Sequence, residues 1–266
     1  MKPMETKLNR RRGVAFSLTE LMVVIAILTL LGGLAMPAFN LMTRSGDLAG
    51  ATRDLAHLLE QARSYAMGKN TYVYLGILEV DVSQRAPLPS QQAASGVGRI
   101  VVGIVSARDG SRGYDPNEVG DPIWSRYDGG NEFSAVSPLR TFSNVHLADL
   151  GASTDGGMRR PSVPSDYNVG NASCRSATPV AWPPGRSLNS GQYNFVKVIQ
   201  FDPQGAARIV LAGNGSATPQ WIEIGLEPAN GTGAGTAASG AEGGKGRDLA
   251  ALQINGVSGA VRVYRP

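Results

Sequence analysis

The chain has 266 residues, a formal net charge of +4, 42% hydrophobic residues and only 17% charged ones. That length suits one sizeable domain with a real core, and 34 glycines with 16 prolines argue against a helical bundle. A single cysteine, Cys174, excludes an internal disulfide, so packing and backbone hydrogen bonds must hold the fold.

The basic residues are unevenly spread. Lys2, Lys7, Arg10, Arg11 and Arg12 precede the first apolar segment, which reads as a membrane-topology signal rather than a nucleic-acid patch. From Phe16 to Phe39 the one charge is Glu20. A helix of that length crosses a hydrocarbon core of ~30 Å at ~1.5 Å per residue. The basic cluster would then stay cytoplasmic, with the C-terminal bulk outside. Three readings compete: a secretory signal peptide, a plain anchor, and a leader cut before the apolar run. Glu20 separates them, because a carboxylate inside a membrane span is costly and marks a function. Its partner would be the amine freed by a cut between Ala15 and Phe16, one helical turn away.

The string Ala15-Phe16-Ser17-Leu18-Thr19-Glu20-Leu21 resembles the leader junction of type IV prepilins and type II secretion pseudopilins. That pattern has a small residue, then Phe, a short apolar or Ser/Thr-rich triplet, Glu and a long apolar run. The resemblance covers about the first forty residues. It implies a prepilin peptidase/methyltransferase that cuts after Ala15 and methylates the Phe16 amine, with Glu20 guiding subunit registration by an assembly salt bridge. The family usually has Gly before the cut, where this chain has Ala15. A cut after Gly13 would place Glu20 too far from the new terminus, so the Ala15/Phe16 junction is retained. Pro37 removes a helical hydrogen bond and kinks a helix or ends it; many pilins carry a proline in this region. The domain organisation expected is a leader over 1–15, a transmembrane and filament-core helix over 16–39, an amphipathic continuation over 40–70 and a β-rich periplasmic domain over 71–266.

In the continuation, Leu41, Leu48, Ala51, Leu55, Leu58, Leu59, Ala62 and Ala66 recur at three- and four-residue spacing, against Arg44, Asp47, Arg53, Asp54, Glu60 and Arg63. Thr71 to Val80 and Arg99 to Ser106 read as strands, and Leu139 to Leu147 and Asn194 to Phe201 as weaker ones. Val196 to Leu211 reads as a hairpin turning at Asp202-Pro203-Gln204-Gly205. Gln220 to Leu226 reads as a strand, and Leu252 to Tyr264 as a second hairpin turning near Gly256 to Gly259. Gly151 to Ser190 and Ala229 to Arg247 read as flexible loops. The fold class expected is α+β and pilin-like, a long N-terminal helix packed on an antiparallel sheet. The C-terminal run, Ile222 to Leu226, Ala251 to Val257 and Val261 to Pro266, looks like Verru_Chthon cassette pilin-like proteins. The element order is similar to GspH/FimT-like minor pseudopilins.

Little in the sequence suggests chemistry. His57 and His146 read as surface or packed residues, and no His/Cys cluster has metal spacing. Lys245 does not complete a phosphate loop, and Asn171, Asn214 and Asn230 head chance N-x-S/T triplets. Asp149 and Asp155 lack calcium-loop spacing. No catalytic residue, metal or cofactor is expected. The function expected is a structural subunit, a minor pilin or pseudopilin of a type II secretion or type IV pilus-like filament. Its expected partners are the peptidase, other pilin subunits, the inner membrane through a single span, and the assembly platform. The alternative is a binding module for DNA, an exoprotein or a surface, displayed by the helix, although no aromatic–basic interleaving favours nucleic acid.

Overall fold

The computed structural model describes residues 18–84, 87–88, 91–110, 133–151, 157–176, 179–186, 191–209, 218–229 and 248–266, with the side chains of 32–45 excepted. Helix α1, Leu18–Lys69, is unbroken. Contacts divide the chain into two units, residues 1–43 and 44–266, and α1 contributes to both.

In the first unit, the side chains described on α1 are exposed throughout residues 18–31. In the second, α1 is one-sided. Leu48, Ala51, Leu55, Leu58, Leu59, Ala62 and Ala66 are buried, while Arg53, Asp54 and His57 face solvent. The three- and four-residue spacing read from the sequence is therefore the packing stripe. Thr52 joins it by donating its hydroxyl to Leu48 O at 2.7 Å, which satisfies the buried polar group locally.

Strands dominate the rest. Those of sheet A are β1 (Val73–Asp81), β2 (Gly98–Ala107), β3 (Phe133–Ala135), β4 (Arg140–Ser143), β8 (Lys197–Phe201) and β9 (Ala207–Ile209). Their order is β3-β2-β1-β8-β9, with β4 also paired to β2. Sheet B contains β5 (Val145–Ala148), β10 (Trp221–Pro228), β11 (Ala250–Asn255) and β12 (Val261–Tyr264), ordered β12-β11-β10-β5. Strands β6 (Val180–Trp182) and β7 (Tyr193–Phe195) form a separate ribbon. The pairings are antiparallel.

Sheet A is buried on both faces, which explains why β1 and β2 read as nearly continuous apolar runs. Val73, Leu75 and Ile77 of β1, with Ile100, Val102 and Ile104 of β2, share one core with the α1 stripe and with Ile222, Ile224, Leu252 and Ile254 of sheet B. Tyr74, Val101 and Val105 point the other way, into a second core with Trp182, Tyr193 and Phe195 of the ribbon. The alternation follows from the two-residue period of a strand.

Two hairpin turns meet beside α1. Asp202 Oδ1 accepts the amides of Gln204 and Ala206, at 3.0 and 2.8 Å, and Gly205 has φ +84°. In the β11–β12 turn, Asn255 Oδ1 accepts the amides of Val257 and Ser258, and Gly259 has φ +65°. Ala207 N donates to Gly256 O at 2.8 Å, joining the turns. A Cβ on Gly259 would strike Gly205 O and the Arg63 side chain, so a side chain there would be both strained and sterically blocked.

Two expectations are corrected here. The α+β fold with a long helix packed on a sheet does not hold. The described residues form a mainly β structure, and α1 enters the core only from Leu48 to Ala66. The transmembrane and single-pass inner-membrane assignment also fails. Among the described residues no helix is long and apolar enough to cross a membrane. The stretch from Gly151 to Ser190, read as flexible, holds β6 and the buried residues Met158, Val169 and Cys174. Residues 230–247 lie outside the described residues.

Candidate functional site

Two kinds of surface are candidates: the apolar run at the start of α1 and the polar groups set into the β-rich unit. On α1, Leu21, Met22, Val23, Val24 and Ile25 are consecutive and each retains between 46% and 64% of its surface. At about 100° per residue, five such positions cover every side of a helix. Thr29 does not interrupt the run, since its hydroxyl donates to Ile25 O and Ala26 O at 3.0 and 2.9 Å. Glu20 lies in the first turn and is exposed, where a carboxylate is favoured by the helix dipole. Ala15 and Phe16 lie outside the described residues. The backbone is helical at Pro37.

In the β-rich unit, single acids sit in apolar strands. Glu223 on β10 has a fully buried side chain and pairs with Arg160, itself 4% exposed, at 2.7 Å. Gln253 on the neighbouring β11 donates to Glu223 Oε2 at 2.8 Å and to Pro161 O at 2.7 Å. The backbone of the same Glu223 accepts the Val169 amide at 2.8 Å. Residues 160 and 169 are thus both fastened to one position of β10, which makes the intervening chain an arch over sheet B. A cleft of about 430 Å³ lies there, lined by Ser162, Val163, Pro164, Tyr167, Gln220 and Trp221. The guanidinium of Arg262 lies 5.5 Å from the centre of the Trp221 ring, a cation–π contact.

A second polar cluster joins the two sheets. Glu79 on β1 accepts His146 Nδ1 at 2.7 Å, Gly98 N at 3.1 Å and Leu147 N at 3.3 Å. Glu227 Oε1 lies 4.0 Å from His146 Nε2. Nearby, Lys197 donates its ammonium protons to Val169 O and Asn171 O. Burial pushes its pKa down, against the charge of Glu79. Cys174 is buried, and burial pushes its thiol up to about 12. A thiol in that state is neither a nucleophile nor placed for an intermolecular bridge.

The remaining residues singled out from sequence are dispersed. His57 is exposed on α1. Asp149 accepts Asn168 Nδ2 and Asn171 Nδ2 at 3.0 and 2.7 Å, so Asn171 serves an internal network. Asp155, Asn214, Asn230 and Lys245 lie outside the described residues. Sequence reasoning missed Glu79, His146 and Glu223 as interacting groups. The available signal was one acid within an otherwise apolar strand, as in Ile222-Glu223-Ile224. No protein-family model, curated protein or solved structure matches the chain.

Proposed function

We propose that this chain is a structural subunit, of the minor pilin or pseudopilin kind, of a type II secretion or type IV pilus-like filament. A prepilin peptidase/methyltransferase would cut between Ala15 and Phe16, and residues 18–31 would then pack against the same segment of neighbouring subunits. The observation that carries this reading is the apolar surface exposed on every side of the start of α1. One partner helix covers one stripe, so an all-round apolar helix calls for several neighbours and buries its surface inside a bundle. Glu20 would attract the freed Phe16 amine of an adjacent subunit, in surroundings where low dielectric strengthens the pairing. The test is the mass of the N-terminal peptide from native material, together with Glu20→Ala. A chain starting at methylated Phe16, with the variant cut normally but poorly incorporated into filaments, is expected. Normal incorporation of Glu20→Ala would exclude the pairing.

The cleft beneath the 160–169 arch favours a second reading, a displayed binding module. A saturable change in tryptophan emission on adding DNA or an exoprotein, lost in Trp221→Ala, would support it. No response to either would leave the filament reading alone.

A further inference from the structure

We propose that His146 is a proton-operated latch holding the edge strand β5 of sheet B against sheet A. The chain leaves β4 of sheet A and enters β5 of sheet B at Asn144, which has φ +63°. This crossover is itself bonded to both sheets. Asn144 N donates to Gly98 O, and Ala229 N donates to Asn144 O, each at 2.8 Å. The Glu79 carboxylate then binds both sheets at once, taking Gly98 N from β2 and both the ring and the Leu147 amide from β5.

The ring between the carboxylates makes this junction sensitive to protons. An imidazolium donates from both nitrogens, whereas a neutral ring donates from one. Only the charged ring attracts both carboxylates: its Nδ1 is hydrogen-bonded to Glu79 at 2.7 Å, and its Nε2 lies within ion-pair reach of Glu227 at 4.0 Å. Both acids are 12% exposed, so on loss of the proton two poorly hydrated carboxylates face a neutral ring. Among the described residues, the charged groups facing the junction besides Glu79 on β1 and Glu227 on β10 are Lys197 on β8 and Asp47 on α1. Asp47 is hydrogen-bonded to Asn144 at 2.8 Å. Burial opposes the ring's charge, but the hydrogen bond and charge of Glu79 and the charge of Glu227 outweigh it and the opposing Lys197, so the pKa of His146 stands above the ordinary 6.5. A raised folded pKa means that the stabilisation is complete below the unfolded value, near pH ~6.5, and disappears as pH rises through the folded value. Each unit of elevation is a tenfold change in the opening equilibrium.

The test is NMR on the full chain. The ring of His146 is titrated. Amide exchange at Gly98 and Leu147 is followed from about pH 6 to 9, corrected for intrinsic rates, against Ile199 in the middle of sheet A. Expected are a ring pKa above 6.5, lowered in Glu227→Gln, and protection at both amides that falls with pH while Ile199 holds. In His146→Gln that extra pH dependence should vanish. A ring pKa at or below 6.5, or protection at Leu147 independent of pH, overturns the latch. If His146→Gln does not fold, the wild-type titration and Glu227→Gln still decide.

Discussion

Arg160 and Glu223 sit where sequence gives little warning, one in a Gly/Pro/Ser-rich stretch and one in the middle of an apolar strand. Their bond spans a long sequence separation and takes both charges out of water. Removing one partner of such a pair costs ~3–5 kcal/mol, whereas replacing both with apolar groups is often nearly neutral. Arg160→Met should therefore lower the stability read from urea unfolding by about that amount, and Arg160→Met with Glu223→Leu should recover most of it. Equal losses in the single and double variants would show that the pair does not organise the arch. The stretch from Gly151 to Ser190 read as flexible because its composition is that of a loop. Its described residues 160–169 are fastened by residues outside it, Glu223, Gln253 and Lys197, which no local pattern announces.

Among the elements, β1 and β2 were the easiest to find, because β-branched and aromatic residues mark them whichever face they turn. Their neighbours were harder. Leu139 to Leu147 reads as one strand but divides at Asn144 into β4 and β5, which belong to different sheets. Glycine illustrates the same dependence on context. Gly76 and Gly103 face each other across β1 and β2, and a Cβ on Gly76 would lie 2.5 Å from Phe195 Cγ. Gly50 on α1 has nothing within 4 Å of that position. Gly76→Ala should destabilise by ~1–3 kcal/mol through overpacking. Gly50→Ala should stabilise by up to ~1 kcal/mol through helix propensity. Thermal unfolding of the two variants checks both signs.

At the scale of the molecule, residues 44–266 hold their own core, in which the α1 stripe, sheet A and sheet B share one apolar cluster. A chain beginning at Arg44 should unfold cooperatively near the temperature of the full chain, while the full chain alone self-associates. Calorimetry and sedimentation check the two halves of that statement. Non-cooperative unfolding of the shortened chain would mean that residues 18–43 support the core. The apolar start of α1 was legible because hydrophobicity is a property of the string itself. Which helices would cover that surface is not, because any apolar neighbour presents the same hydrocarbon to it.

The pairing of β10 with β11 has a practical side. Leu226 lies opposite Ala250, and Ala229 and Leu249 beyond them are both buried. The two ends of residues 230–247 are thereby held side by side by strands that are already bonded. Lengthening such a connection costs only ~0.6 kcal/mol per doubling, so the length of this segment is free to drift while the register around it stays fixed. A fluorescent domain or an affinity tag spliced in at residue 238 would ride on the protein without disturbing either sheet.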